Sequence, residues 1–395
     1  MRALRDVPDH IRVLAVARFL LAMGEELWVR YMPRYLQALG ASVLVVGLWG
    51  SLWTLVEAAW QYPGGALSDK LGRRRAVLWL TALGIVGLLL FLTPYWPAVL
   101  VGLVFYGAAT GYGGSATQSV VSSSVPKAAR ATAFAVMAVM RKPTALLGPP
   151  IAGLLIASQL GLLNGVRVGL AIAVALFLGA LWLQARKFPD EEGERKPRRM
   201  LPDLHLGALP VRMRWLLLAD TLARIGERVL DVFAVLYVVN VLGYSDLTFG
   251  LLVGLGALLS LLGYLPLARW SDRTGRRRPL IAFTFLMLAA YPLLLASAPS
   301  LPLVIAAFTA FGLKEVTDPA RKALVSEMAP EGSRGHALGI YNAVRAFAVL
   351  PAPLLAALVW ESAPRLVLYT GGALALLGIV VLYAMVRDEP RRAPA

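Results

Sequence analysis

The sequence predicts an all-α integral membrane protein, with twelve transmembrane helices arranged as two pseudo-symmetric six-helix bundles. Three observations predict this fold: a composition poor in charge, apolar runs of membrane-spanning length, and an internal repeat. Of the 395 residues, 58% are hydrophobic and only 16% are charged, whereas a soluble domain carries about 25% charged residues. Apolar runs near 20 residues recur along the chain, and such a run crosses about 30 Å of hydrocarbon as a helix.

The apolar runs define twelve predicted spans and one long polar segment. The spans cover approximately residues 12–36, 43–67, 76–93, 97–124, 131–158, 165–185, 213–241, 247–268, 279–297, 301–326, 335–360 and 364–386. The polar segment near 186–212 is rich in proline and charge, which is typical of a linker. We therefore predict an N-terminal six-helix bundle at 1–188, a cytoplasmic linker at 189–212 and a C-terminal six-helix bundle at 213–395.

Basic residues predict the orientation of the chain in the membrane. Alternate connections carry clusters such as Lys70 with Arg73, whereas the connections on the other side carry isolated residues such as Arg34 and Arg365. The positive-inside rule places the basic side in the cytoplasm. We therefore expect a multi-pass protein of the cytoplasmic (inner) membrane with both termini cytoplasmic. The orientation in the membrane then explains the formal net charge of +16, so this charge does not indicate binding of nucleic acid.

The two halves of the chain repeat each other. Asp69 matches Asp272 at an offset of 203 residues, and Gly24 with Glu25 matches Gly226 with Glu227 at an offset of 202. An offset that is nearly constant over several spans indicates duplication of a six-helix unit. The copies have parallel topology because six is even, an arrangement typical of transporters.

A charged motif follows the second span and recurs after the eighth. The stretches "GALSDKLGRRR" and "LARWSDRTGRRR" share an Asp, a basic residue, a Gly and a run of three Arg. Gly72 and Gly275 suit tight turns with positive φ. An Asp at the end of one helix can interact with the positively charged N-terminus of a neighbouring helix.

The first copy of the motif, from Gly65 to Arg74, resembles the signature of the major facilitator superfamily. With the twelve spans and the linker, the resemblance covers nearly the whole chain and implies the major facilitator fold and a transporter, not an enzyme. It also implies that Asp69 contacts the start of the eleventh helix and Asp272 the start of the fifth, closing the cytoplasmic side. The expected cytoplasmic gate residues are Gly65, Asp69, Gly72, Arg73, Asp272, Gly275 and Arg276.

Charged residues inside the spans are the candidate proton and substrate groups. A charge at mid-bilayer costs about 2.5–3.5 kcal/mol and faces a bundle interior or a wet cavity. Cations and anions balance inside the spans, so the charge of the substrate stays open. The predicted proton- or substrate-binding residues are Arg18, Glu25, Glu26, Trp53, Glu57, Arg141, Arg224, Glu227, Asp231, Lys314, Glu315, Asp318, Asn342 and Arg345.

Glu25 and Glu227 are the leading proton carriers, because they are central in their spans and equivalent in the repeat. Asp220 and Arg224 share a helix face with Glu227, within roughly 60° of arc, and a ladder of pairs that only stabilises the bundle is the alternative. Trp53 and Glu57 lie on one face of the second span. An aromatic wall that carries a carboxylate favours an organic cation.

The fifth span contains "LLGPPIAG", with Gly148, Pro149 and Gly153, which resembles the core of the signature of the drug:proton antiporter branch. The upstream glycines of that signature fall on Ala135 and Thr144. The resemblance implies proton-coupled efflux of small amphipathic organic compounds by alternating access. The alternatives are a carrier of organic anions or sugars, and a lipid flippase of the same fold.

The expected partners are a small-molecule substrate and the lipid bilayer, and we expect a monomer that binds no nucleic acid. The proton gradient is the expected driving force, without a cofactor. Because the sequence contains no Cys, it excludes disulfides and thiolate metal sites, and we expect no metal.

Overall fold

The computed structural model describes residues 9–124, 130–187, 205–274, 277–330 and 334–386. The first six predicted spans contain α1 (Asp9–Glu26), a 3-10 turn (Val29–Tyr31), α2 (Met32–Ala38), α3 (Val43–Leu71), α4 (Arg73–Phe91), α5 (Trp96–Ser124), α6 (Arg130–Ala157) and α7 (Gly161–Lys187). The last six contain α8 (Val211–Leu236), a π-helical turn (Tyr237–Val241), α9 (Asp246–Thr274), α10 (Arg278–Ala296), α11 (Leu301–Leu313), α12 (Asp318–Met328), α13 (Arg334–Val349), α14 (Ala352–Trp360) and α15 (Pro364–Met385).

Each of the twelve predicted spans contains helix, and three of them are interrupted. The first span is divided into α1 and α2, the tenth into α11 and α12, and the eleventh into α13 and α14. In each case a proline, namely Pro33, Pro319 or Pro353, lies in the first turn of the second helix. Proline has no N–H to continue the helical ladder, but it fits this first turn, which explains why the interruptions fall where they do.

Helix ends follow local sequence signals. Ser42 precedes α3 as an N-cap, and its hydroxyl accepts a hydrogen bond of 3.4 Å from the N–H of Val45. Gly72 separates α3 from α4 with φ of +82°, a conformation that glycine adopts without a steric penalty. The prediction of positive φ at Gly72 is confirmed. Gly275 lies outside the described residues.

The chain forms two compact units. The first consists of Met1–Val45, Leu52–Met200 and Gly243–Leu251, and the second of Val46–Ser51, Leu201–Leu242 and Leu252–Ala395. The bundle boundaries drawn from the sequence at 188 and 213 stay predictions. Residues 188–204, most of the predicted linker, lie outside the described part of the chain.

Equivalent helices pack together in both units. In the first unit α1 packs on α6 and α7, and α4 on α5 and α7. In the second unit the equivalent helix α8 packs on α13 and α15, and α10 on α11 and α15. The repeat found in the sequence is therefore a repeat of helix packing.

Small residues allow the closest of these contacts. A Cβ placed on Gly24 of α1 would lie 3.2 Å from Cα of Ala173 in α7. At the equivalent position of the second unit, a Cβ on Gly226 of α8 would lie 2.7 Å from the carbonyl oxygen of Gly371 in α15. Glycine at a helix crossing allows two backbones to approach directly, and in each unit the glycine stands next to a candidate carboxylate, Glu25 or Glu227.

The described helices are those of a multi-pass membrane protein. Seven of them are long and apolar enough to cross a membrane, and three shorter ones, Trp96–Thr110, Lys142–Ala157 and Leu301–Leu313, are also apolar. Large apolar side chains such as Leu358 and Leu262 are 67% and 63% exposed, which suits a surface in contact with lipid. The predicted all-α membrane fold is confirmed.

Candidate functional site

A cavity of ≈ 120 Å³ lies inside the first unit, where α1, α3, α5 and α7 meet. Arg18, Ala22 and Glu25 are spaced by three or four residues and present one face of α1 to it. Trp53 and Glu57 do the same for α3. The complete lining consists of Arg18, Leu21, Ala22, Glu25, Trp53, Glu57, Ala109, Thr110 and Phe177. Four predicted site residues, namely Arg18, Glu25, Trp53 and Glu57, are therefore brought together around one cavity.

Tyr106 holds the central carboxylate of this cavity. Its hydroxyl donates a hydrogen bond of 3.1 Å to Oε2 of Glu25, while its side chain is fully buried. The sequence alone does not identify Tyr106, because an isolated aromatic residue in an apolar span has no charge or spacing that marks it. The helix pairing in the structure identifies it.

Aromatic rings surround Tyr106. Its ring centroid lies 5.1 Å from that of Trp28, 5.9 Å from that of Trp53 and 5.9 Å from that of Phe177. Such distances are typical of tilted and edge-to-face ring pairs. Because Trp53 and Phe177 also line the cavity, an aromatic wall and a hydrogen-bonded carboxylate face the same space.

Glu26 points to different partners from those of its neighbour Glu25. Its Oε2 lies 3.6 Å from Nε of Arg30, one helical turn further on, as the spacing predicts. A Cβ on Gly148 of α6 would overlap the Glu26 side chain, so the absence of a side chain at Gly148 makes room for Glu26. Glu26 does not line the cavity described above.

The predicted helix-5 motif packs around Tyr31, which ends the 3-10 turn after α1. The Tyr31 hydroxyl donates to the carbonyl of Pro149 at 3.1 Å and to the carbonyl of Asp246 at 2.8 Å. A Cβ on Gly153 would lie 2.7 Å from that same hydroxyl oxygen. Arg34 forms an ion pair with Asp246. In the first unit the motif thus joins the interrupted first span to the start of α9.

A buried ion network occupies the second unit. Asp220 of α8 is completely buried, and its Oδ2 accepts hydrogen bonds from Arg321 at 3.1 Å and from Arg345 at 2.8 Å. The hydroxyl of Tyr341 donates to the same oxygen at 3.0 Å. Nε of Arg224, one turn along α8, lies 3.4 Å from Oδ1. One carboxylate therefore gathers three guanidinium groups from α8, α12 and α13.

Glu227 continues this network. Its Oε2 accepts from Arg224 at 2.6 Å and its Oε1 accepts from Lys314 at 2.7 Å. Two predicted site residues from different spans, Glu227 and Lys314, are thus brought together. Glu25 and Glu227 occupy equivalent positions in the repeat, but a tyrosine hydroxyl holds the first and two cations hold the second.

Other predicted site residues of the second half lie toward its surface. Asp231 pairs with Arg228 at 3.4 Å, with side chains 32% and 36% exposed. Asn342 is exposed and accepts a hydrogen bond of 3.2 Å from Arg345. Glu315 is also exposed. The side chains of Arg141 and Asp318 lie outside the part that the structure describes.

The predicted cytoplasmic gate is described only in part. Gly65 and Asp69 lie in α3, Asp272 in α9 and Arg73 at the start of α4, but the side chains of Asp69, Asp272 and Arg73 are outside the described part, as are residues Gly275 and Arg276. The proposed contacts of Asp69 and Asp272 stay predictions.

One arginine from each copy of the motif makes the same kind of contact in its own unit. Arg74, in α4, donates to the carbonyl of Ala185 near the end of α7. Arg278, at the start of α10, donates to the carbonyl of Tyr383 near the end of α15. A cation at the C-terminal carbonyls of a helix is stabilising. In each unit, therefore, an arginine of the motif caps the helix of the last span.

Comparison with known proteins agrees with this architecture. The sequence model described as Major Facilitator Superfamily matches the chain twice, over residues 14–225 and over residues 216–395. The chain belongs to this superfamily, and the protein is a multi-pass membrane transporter. The two matches correspond to the two halves of the repeat.

Individual relatives are distant in sequence and similar in fold. An uncharacterized MFS-type transporter of Methanocaldococcus jannaschii is 22% identical over 388 residues, covering 96% of each chain. The crystal structure of a point mutant of the nucleoside transporter NupG is similar, with a TM-score of 0.81 at 13% identity over 96% of this chain and 100% of that one. That of a D-xylose-proton symporter has a TM-score of 0.72 at 15% identity, over 95% and 98%. These structures show the fold and do not define the substrate.

Proposed function

We propose that the protein is a proton-coupled antiporter that exports small amphipathic organic compounds carrying a cationic group, by alternating access. The observation that carries the proposal is the cavity of the first unit, in which Glu25 and Glu57 share a wall with Trp53 and Phe177. The sequence alone left the charge of the substrate open. The composition of this cavity favours a cation.

The charge of the cavity supports exchange. Of the side chains that line it, Arg18 carries one positive charge, and Glu25 and Glu57 carry one negative charge each when ionised. One proton or one monovalent cation is enough to neutralise the surplus. Because a charge at this depth is costly unless it is compensated, the proton and the organic cation compete for the same carboxylates, which is the basis of antiport.

Each lining group has a distinct task in this proposal. Glu25 exchanges the proton, because it is central in its span and lines the cavity. Trp53 and Phe177 bind the apolar body of the substrate, and an aromatic face adds about 0.5–2 kcal/mol for a cation above it. Glu57 provides a second negative charge for the cationic group.

The likeness of "LLGPPIAG" to the antiporter signature supports export rather than import. The location in the cytoplasmic membrane and the cytoplasmic termini are part of the same proposal, since the basic connections carry the orientation. A D-xylose-proton symporter of similar fold is compatible with proton coupling in this architecture.

Inverted membrane vesicles test the proposal directly. With an acidic interior, the vesicles should accumulate the fluorescent cation ethidium, and a protonophore should abolish the accumulation. Glu25→Gln should remove the part of the uptake that depends on the pH gradient. Glu327→Gln is the control, because that side chain is 56% exposed, contacts Arg277 at 2.7 Å and does not line the cavity.

Equal uptake with and without the gradient would refute proton coupling. Full gradient-driven uptake by Glu25→Gln would refute the assignment of Glu25. If ethidium were not taken up at all while a fluorescent organic anion was, the cationic substrate class would be wrong.

A further inference from the structure

Two residues that line the cavity of the first unit carry oxygen atoms that receive no hydrogen bond from the described residues. Glu57 of α3 is one of them, and its half-buried carboxylate has neither a hydrogen bond nor an ion pair in the part of the chain that the structure describes. The carboxylate of Glu25 differs, because its Oε2 accepts from Tyr106. A charge within a span is costly unless it is compensated, so the Glu57 carboxylate favours a ligand that supplies the missing contacts.

Thr110 of α5 provides the second oxygen. Its hydroxyl donates to the carbonyl of Gly107, one helical turn earlier, at 3.3 Å. A threonine hydroxyl has one O–H to donate and lone pairs with which to accept. Because that O–H is already used, Thr110 meets a ligand in the cavity as an acceptor. Glu57 and Thr110 therefore supply acceptors to one cavity from two different helices.

The size of the cavity limits the group that enters it. Its volume is ≈ 120 Å³, whereas an apolar cavity of about 150 Å³ holds one benzene molecule. The cavity therefore accepts an ammonium group and no more than about one adjoining ring. Methyl groups on the nitrogen would occupy this space and would also separate the positive charge from the oxygen atoms.

We propose that the cavity selects ammonium groups that carry N–H donors, as in primary and secondary amines, and that Glu57 and Thr110 accept hydrogen bonds from them. Charge-assisted hydrogen bonds of this kind are stronger than those between neutral groups. A quaternary ammonium has the same charge and no N–H, so it leaves both oxygen atoms without a hydrogen bond.

This inference rests on the proposed function, because it concerns the same cavity and the same charge of ligand. It adds the chemical class of the cationic group, and it makes Thr110 a residue that determines specificity. The apolar part of the ligand is bound, as before, by Trp53 and Phe177.

The test compares 2-phenylethylammonium with its N,N,N-trimethyl analogue, which has the same ring, chain and charge. The purified full-length protein, in nanodiscs of phosphatidylcholine at neutral pH and constant ionic strength, is titrated with each by calorimetry. We expect the primary ammonium to bind at least tenfold more tightly. The protonated N,N-dimethyl compound has one N–H and should bind with intermediate affinity. Burial of apolar surface alone predicts the opposite order, since each methyl group adds apolar area.

Thr110→Val is the decisive variant, because it removes the acceptor and nearly retains the shape of the side chain. We expect it to weaken binding of the primary ammonium about tenfold and to leave binding of the trimethyl compound unchanged. Thr93→Val is the matched control. The Thr93 hydroxyl also donates to a carbonyl three positions earlier in the first unit, that of Leu90 at 2.7 Å, but Thr93 does not line the cavity.

Several results would overturn the inference. If the trimethyl compound bound the unaltered protein as tightly as the primary ammonium, N–H donors would not select the ligand, whereas the cation site of the proposed function would stand. If neither compound bound, both proposals would fail. Unchanged affinity for the primary ammonium in a folded Thr110→Val protein, or an equal loss in Thr93→Val, would refute the role of Thr110.

Discussion

The hydroxyl of Tyr106 donates a hydrogen bond of 3.1 Å to Oε2 of Glu25, from inside a cluster of aromatic rings. A hydrogen bond to a charged group contributes about 1.5–3 kcal/mol. Tyr106→Phe removes the hydroxyl and retains the ring. We expect the rate of ethidium transport to fall about tenfold, because the Glu25 carboxylate loses a group that positions it and about 1.4 kcal/mol corresponds to a factor of ten.

Tyr35→Phe is the control for this prediction. Tyr35 is also fully buried in the first unit, but its hydroxyl donates to the carbonyl of Phe91 at 3.1 Å. Its loss should lower stability slightly and leave the rate of ethidium transport nearly unchanged. If both variants lost transport equally, the Tyr106–Glu25 hydrogen bond would not have the positioning role that we assign to it.

Asp220 should be essential for the stability of the second unit. Asp220→Asn leaves Arg224, Arg321 and Arg345 around a neutral side chain, and removing one partner of a buried ion network typically costs about 3–5 kcal/mol. We expect a clearly lower melting temperature, measured by tryptophan fluorescence in detergent. Asp231→Asn breaks an exposed pair, for which about 0–1 kcal/mol is typical, and should melt nearly normally. Equal melting of both variants would contradict a stabilising role of Asp220.

The contact between α8 and α15 should tolerate no side chain at Gly226. A Cβ there would lie 2.7 Å from the carbonyl oxygen of Gly371, so the two backbones must move apart. Overpacking of this kind costs about 1–3 kcal/mol. Gly339→Ala provides the comparison, because a Cβ at Gly339 of α13 meets nothing within 4 Å and alanine favours helix by about 1 kcal/mol. Thermal unfolding should show a lower melting temperature for Gly226→Ala and a slightly higher one for Gly339→Ala than for the unaltered protein.

The predicted gate can be tested although the Asp69 side chain lies outside the described part. Asp69→Asn removes a charge that is expected to stabilise the cytoplasm-closed state by interacting with a helix N-terminus. We expect sharply reduced transport at near-normal expression. We also expect faster labelling, from the cytoplasmic side, of a cysteine introduced into the transport pathway. The chain has no cysteine, so a single introduced cysteine reports accessibility without background. Unchanged labelling in Asp69→Asn would exclude a role of Asp69 in closing the cytoplasmic gate.

Much of the fold follows from short-range properties of the sequence. Span length and hydropathy locate all twelve spans, because each helix satisfies its own backbone hydrogen bonds in lipid. The Glu26–Arg30 and Asp220–Arg224 contacts are one helical turn apart and are likewise predicted by spacing. Hydropathy does not predict the interruptions at Pro33, Pro319 and Pro353, because an apolar run continues across a proline that begins a new helix.

The candidate site depends on tertiary neighbours that spacing cannot supply. The partners of Asp220 come from α12 and α13, about a hundred residues away in the chain: Arg321 and Tyr341 are separated from it by 101 and 121 positions. Tyr106 and Glu25 are likewise distant in the chain, separated by 81 positions. The balance of charges along the sequence therefore does not show which charged side chains the fold brings together.

The interrupted spans concentrate the mechanical compliance of the protein at a few turns. Within the described residues, α1 ends at Glu26, one residue after Glu25, and α11 ends at Leu313, one residue before Lys314. A continuous helix resists bending because each turn is bonded to the next, whereas a broken ladder yields at the gap. In the proposed function, a ligand bound at Glu25 is therefore attached next to the interruption of the first span. A small displacement of that ligand then changes the orientation of α1 relative to α2 without bending a continuous helix.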